Sequence, residues 1–289
     1  MEVKKKAEEI YVENINIQTD TAVLAAKIYH SVIKKAVVII NTATGVPQYF
    51  YSNFAKFLAQ KGYLVYTYDY RDVGESSYKK LNTSKASYYD WGKLDFSAVL
   101  KYALEKHSKL DVYVIGHSFG GSCVGMSSLS TQIKKVVTVA SPNMYWKNFP
   151  ISKIPFVYLG AKFGIPIFNT LYGYLPTEIK GLGTNLPKNV GKDWTRSILN
   201  TTSIPGLIPK TESYYHLINC EILMLGFTDD WMASPKAVKS LKNQFSNART
   251  NIKIIKPSEF GLKKIGHLDF FRKHNEHLLW GVIPNWLDE

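Results

Sequence analysis

Cysteine is scarce. Two thiols in 289 residues, Cys123 and Cys220, exclude a disulfide scaffold and leave an apolar core to hold the fold. Both are read as core or near-core thiols. Acidic residues are short as well: 23 Asp and Glu stand against 36 Lys and Arg, a net charge of +13. The excess is scattered, and no basic run extends beyond Lys4–Lys6. No zinc-finger, RNA-recognition or helix-turn-helix pattern accompanies it, so nucleic acid is excluded as a partner. Such charge could attract acidic partners, weak association with an acidic membrane surface among them, but the aromatics of residues 141–175 are expected first to form a small core of their own. Low-complexity text and internal repeats are lacking, and so is the composition of a disordered chain. Hydrophobic residues make up 45% and charged ones only 20%, which describes a large packed domain. No apolar run follows the charged residues 1–9, so no secretory signal is read and a cytoplasmic location is expected.

Short apolar runs organise the chain. Ile10–Gln18 and Ala22–Tyr29 flank a Thr19-Asp20-Thr21 turn and read as an antiparallel pair at a sheet edge. Ala36–Ile40, Tyr63–Tyr68, Val112–Ile115, Val136–Val139 and Ile222–Leu225 are continuous and apolar. Runs with no polar face belong to parallel strands covered on both sides. Helical text lies between them: Phe50–Leu58 with Gly62 as a stop, Trp91–His107, Pro235–Phe245 and Asp269–Leu279. The alternation predicts a doubly wound α/β domain. It breaks between Ser141 and Asn219, a Pro-rich stretch whose first part is dense in aromatics. A break of that length is read as an inserted cap, residues 142–219, over a core formed by 1–141 and 220–289. Ile154–Leu175 imitates a membrane span, but Pro155, Pro166 and Lys162 within it argue against a single spanning helix.

One motif carries chemistry. Gly116-His117-Ser118-Phe119-Gly120 follows the strand text Val112–Ile115 and precedes text able to start a helix from Ser122 onward. A sharp strand-to-helix turn strains the central residue and needs small neighbours two positions away on either side. It would lift the Ser118 hydroxyl clear of the sheet. Serine needs a base to act as a nucleophile. Of seven histidines, His267 is the best placed, in a loop after the last predicted strand, whereas His117 should point away from its neighbour Ser118. His274 and His277 could share a metal only with a third ligand, and none stands at a sensible spacing. Asp229 or Asp230, after the run Ile222–Leu225, would orient the imidazole, leaving the other for turn capping. An oxyanion would need two backbone donors. Phe119 is one; the second falls in Asn41-Thr42-Ala43-Thr44-Gly45, with Ala43 the first choice and Thr44 the second.

These residues resemble the α/β-hydrolase superfamily, and within it a subgroup of predicted serine hydrolases. The likeness runs from about Ile10 to Leu279. It rests on Gly116–Gly121, on Tyr68-Asp69-Tyr70-Arg71-Asp72-Val73-Gly74-Glu75-Ser76, on Asp90–Asp95, on Ala43–Val46, and on Asp230 with Gly266-His267. Asp72 stands where the family usually has Gly, and Asn41-Thr42 replaces its usual His-Gly. The resemblance implies an α/β-hydrolase fold, a mostly parallel doubly wound sheet with an inserted cap. It favours Asp230 as the acid, by its spacing to Ser234-Pro235. It implies hydrolysis of a carboxylic ester or related acyl bond in a small-molecule substrate through Ser118, His267 and Asp230, with no metal or organic cofactor. Thioester cleavage or acyl transfer on the same triad, and a non-catalytic binding module of the same fold, are the alternatives. Haloalkane dehalogenases and epoxide hydrolases carry Asp where Ser118 stands, so those chemistries are disfavoured.

Overall fold

The computed structural model describes residues 10–77, 80–178, 181 and 183–289. Eight strands form one sheet: β1 (Val12–Gln18), β2 (Val23–Tyr29), β3 (Val37–Asn41), β4 (Leu64–Tyr68), β5 (Val112–His117), β6 (Lys135–Val139), β9 (Glu221–Phe227) and β10 (Arg249–Ile255). A two-stranded ribbon, β7 (Tyr174–Leu175) with β8 (Leu186–Pro187), lies outside it. The sheet order is β1-β2-β4-β3-β5-β6-β9-β10, and every pairing from β4 to β10 is parallel. Two pairings are antiparallel, β1 with β2, where Val12 lies opposite Tyr29, and β2 with β4, so β2 alone runs against the other strands. The five continuous apolar runs occupy the central strands. β3 and β4 are buried at every residue, because helices cover both faces of a parallel sheet. At the solvated edge, β1 alternates instead.

α1 (Ser52–Gln60) and α2 (Phe96–Lys106) arise from the text that predicts them, with α2 entered through a π-helical turn at Asp90–Asp95. α1 buries Phe54, Ala55, Leu58 and Ala59, and Gly62 follows it at φ +100°. Two helices differ from expectation. The helix after the β5 turn begins earlier than Ser122 and is short: α3 spans Phe119–Ser122 and gives way to a 3-10 turn at Val124–Met126. Here Tyr215 Oη donates to the Ser122 carbonyl, and a Cβ on Gly125 would meet the Tyr215 ring at 2.2 Å. The packed ring thus takes the space and the acceptor that a longer helix would use. Asp269–Leu279 is likewise not one helix. It divides into turns at Asp269–Phe271, Lys273–Asn275 and Glu276–Trp280. Asn275 Nδ2 donates to the Asp269 carbonyl at 2.7 Å and Trp280 Nε1 to the Phe270 carbonyl at 2.6 Å. These side chains satisfy carbonyls that an α-helix would have bonded.

Between β6 and β9 the chain leaves the sheet and builds α4 (Ile154–Leu159), α5 (Ile165–Tyr172), the β7–β8 ribbon and α6 (Lys188–Leu199). α4 and α5 are parts of a single 22-residue helix, Ile151–Tyr172. Pro155 falls in the first turn of α4, just after the 3-10 turn Ile151–Lys153, where its missing N–H costs least. Pro166 follows a π-helical turn at Gly160–Gly164, which shifts the hydrogen-bond register around the missing donor. α7 (Pro235–Leu241) and α8 (Val282–Leu287) complete the layers, with the Ser234 hydroxyl capping α7.

Candidate active site

β5 ends at His117, α3 begins at Phe119, and Ser118 occupies the one residue between them. Its backbone sits at φ +52°, ψ −116°, a region that a side chain enters only under strain. The flanking glycines make the turn feasible. A Cβ on Gly116 would lie 2.3 Å from Gly121, and one on Gly120 would lie 2.3 Å from the Asn41 carbonyl oxygen. No larger residue fits either position without moving backbone.

The loop after β10 carries His267 to the same end of the sheet. His267 Nε2 is 3.0 Å from Ser118 Oγ, and His267 Nδ1 is 2.7 Å from Asp230 Oδ2. Asp230 projects from the turn after β9 and is buried. Desolvation would raise its pKa, but His267 and the N–H groups of Ala233 and Met232 outweigh that and hold it below the ordinary value. A carboxylate only accepts, so Nδ1 of His267 carries the proton and the lone pair of Nε2 faces the serine. The line is therefore arranged to draw a proton from the Ser118 hydroxyl.

Asp229 has a different task from the turn capping expected of it. Its Oδ2 accepts the N–H groups of Ile265 and Gly266, each at 2.9 Å. It holds the backbone of the histidine loop, while Asp230 holds the ring and also accepts the N–H groups of Met232 and Ala233.

His117 faces away from the cavity, as expected, and is fully buried. Burial drives its imidazole down to about 3, and His267 nearby adds to that, so the ring is neutral. Its Nε2 lies 2.8 Å from the His267 carbonyl oxygen, which can only accept. Nδ1 is then an acceptor and receives the Tyr51 hydroxyl at 2.7 Å. The Tyr51 oxygen in turn accepts the Ala43 N–H at 3.0 Å. One directed chain thus runs from the loop after β3, through Tyr51 and His117, to the backbone of His267. Nothing local in the sequence signals Tyr51 for this.

That chain corrects the expectation for Ala43. Its N–H is already bonded inside the protein and is not free to meet an oxyanion. Among the described residues the N–H groups of Phe119 and Thr44 donate to no protein group. Tyr88 fixes both: its hydroxyl bonds Thr44 Oγ1 at 2.8 Å, and its ring stacks on Phe119 at 4.3 Å. Asn41, at the family's usual His, ties the same loop to α3. Its Nδ2 donates to the Gly120 carbonyl at 3.1 Å, and its Oδ1 accepts the Tyr68 hydroxyl. Asp72, where the resemblance expects Gly, adopts φ +60°, a region that favours glycine. Arg71 and Asp95 form a buried ion pair beneath Trp91, whose Nε1 donates to the Arg71 carbonyl. These motif segments therefore support the floor of the site.

A cavity of about 400 Å³ opens beside Ser118 and His267, lined by Thr44 and, among apolar groups, by Phe50, Met144, Trp194 and Leu268. Met144 and Trp194 come from the excursion between β6 and β9. The volume lies within the usual range for a small-molecule site.

The sequence matches the alpha/beta hydrolase fold family over residues 35–157. A comparison with curated proteins found no match. Among solved structures, a soluble variant of a monoglyceride lipase from Saccharomyces cerevisiae superposes at TM-score 0.72 and 12% identity, covering 99% of this chain and 97% of the lipase. A carboxyl esterase from Bacillus coagulans gives 0.65 at 13%, covering 97% and 99%. An esterase from Pyrococcus furiosus gives 0.62 at 16%, covering 96% and 92%. The chain has the alpha/beta-hydrolase fold, which it shares with these esterases and this lipase.

Proposed function

We propose that the protein is a serine hydrolase that cleaves carboxylic esters through an acyl-enzyme. The observation that carries this reading is the hydrogen-bonded line Ser118–His267–Asp230 at 3.0 and 2.7 Å on the wall of a largely apolar cavity. Ser118 Oγ attacks the ester carbonyl as its proton passes to His267 Nε2. The imidazolium is stabilised by the Asp230 carboxylate. The tetrahedral oxyanion is received by the N–H groups of Phe119 and Thr44, with Thr44 replacing Ala43 in that role. Collapse breaks the bond to the alcohol, which leaves with the proton from His267. Water then gives a proton to His267, attacks the acyl group and releases the acid, and Ser118 recovers its proton. Residues 142–219 act as a cap, and Met144 and Trp194 favour an apolar acyl or alcohol group. The esterase and lipase architecture of the similar structures supports ester hydrolysis as the reaction class.

The test is covalent labelling with a fluorophosphonate followed by mass mapping. Label at Ser118 in the wild type, with none in Ser118→Ala and less than about a thousandth of the rate in His267→Ala, is expected. A folded wild type that takes no label, or takes it elsewhere, refutes the reading. A series of ester and thioester substrates of increasing acyl length then defines the preference.

A further inference from the structure

The helix Ile151–Tyr172 has two unlike sides. Its inner side is fastened to the rest of the fold: Val157, Ala161 and Asn169 are buried, Asn169 Nδ2 donates to the Lys188 carbonyl at 3.1 Å, and Thr195 Oγ1 donates to the Ala161 carbonyl at 3.3 Å. Among the described residues, nothing covers its apolar outer side. Phe156, Leu159, Phe163, Ile167 and Leu171 recur at three- and four-residue steps, each between 52 and 73% exposed. They form one stripe along a helix about 33 Å long at 1.5 Å per residue. Five large apolar side chains in one open row are a costly arrangement in water.

Charge selects the occupant. Residues 141–175 contain Lys147, Lys153 and Lys162 and no Asp or Glu. All three lysines are exposed, and Lys153 and Lys162 flank the stripe by helical spacing. The Lys162 ammonium lies 5.4 Å from the centroid of the Phe163 ring, its stem along the apolar face and its charge at the edge. A second copy of this surface would bring like charges together. An anionic lipid surface would receive the apolar row among its acyl chains and pair the lysines with its headgroups. The inner side stays packed on α6, so the helix would lie in the plane of the interface rather than cross it.

We propose that this helix docks the protein on anionic lipid membranes, with Phe156, Leu159, Phe163, Ile167 and Leu171 inserted and Lys153 and Lys162 at the headgroup level. The inference goes beyond the hydrolase reading and does not depend on it. α6 carries both the contacts to this helix and Trp194 of the cavity wall, so docking would bring the membrane within one helix layer of the site.

The full chain should sediment with phosphatidylcholine vesicles containing phosphatidylserine. Leu159→Glu/Phe163→Glu should weaken partitioning by about tenfold or more. Both residues are exposed and outside the cavity, so the variant should retain wild-type melting and wild-type fluorophosphonate labelling. Binding should be stronger with phosphatidylserine than with phosphatidylcholine alone, and that margin should shrink at high salt or in Lys153→Gln/Lys162→Gln. A wild type that stays in the supernatant, or a folded double-Glu variant that binds equally well, overturns the proposal. A wild-type dimer that the double-Glu change dissociates, without any vesicle binding, assigns the face to a second copy instead. Loss of labelling with retained vesicle binding would count against the hydrolase reading alone.

Discussion

His117 should make the fold acid-sensitive in a way that one substitution can isolate. The ring is buried between Tyr51 and Phe271, with the His267 ring 5.2 Å away. Its pKa falls from the ordinary 6.5 to about 3 because burial penalises the cation and His267 reinforces that, more than Asp230 favours it. A proton on Nδ1 would also turn the Tyr51 hydroxyl away from its acceptor while the Ala43 N–H still occupies its oxygen. In the unfolded chain the same histidine binds a proton readily below pH 6.5. Because the unfolded state binds more protons, stability rises with pH across this window. The stability is complete above 6.5 and is lost as the pH falls toward 3. At pH 5 the loss from this one group is about 2 kcal/mol, at roughly 1.4 kcal/mol per pH unit. Urea unfolding at pH 7.5 and pH 5, on the wild type and on His117→Asn, measures it. The variant starts less stable, but its drop between the two pH values should be smaller than the wild type's by about 2 kcal/mol. Equal drops would show that the buried ring is not what the acid attacks, and would refute the assignment of His117 as a neutral link between Tyr51 and His267.

Asp230→Asn should lower kcat by about 10⁴, since an amide can present its NH₂ to Nδ1 and reverse the imidazole tautomer. Asp229→Asn should cost about tenfold or less, because its side-chain oxygen can still accept the N–H groups of Ile265 and Gly266. Ester turnover by the two variants checks the order, and a reversal would exchange their roles. Gly120→Ala should destabilise the protein by about 3 kcal/mol, because the added Cβ meets the Asn41 carbonyl at 2.3 Å. Thermal unfolding reads this, and an unchanged midpoint would mean that the turn after β5 is more pliable than its geometry indicates.

Much of the fold was legible in the chain because its signals are local. Buried parallel strands announce themselves as unbroken apolar runs, and β3, β4, β5, β6 and β9 lie where those runs stand. The Ser118 turn was readable because a backbone reversal at one residue demands glycine at fixed offsets, Gly116 and Gly120. The order Ser, Asp, His along the chain placed the candidate groups at one end of the sheet, and Asp230 meets His267 as the family spacing implies. Contacts between distant segments decided the rest. The Ala43 N–H is taken by a tyrosine eight residues on, which is itself fixed by a histidine 66 residues further. No pattern in Asn41–Gly45 records that. Asp229 reaches the backbone of a loop 36 residues away. The helical text of Asp269–Leu279 was overridden when the Asn275 and Trp280 side chains bonded its carbonyls. Pro155 and Pro166 do not interrupt the helix, because a position in the first turn of α4 and a π turn absorb them. Composition alone shows that Ile151–Tyr172 is apolar. Which of its faces is fastened to the fold and which is left open depends on the neighbours that pack against it, and those come from other parts of the chain.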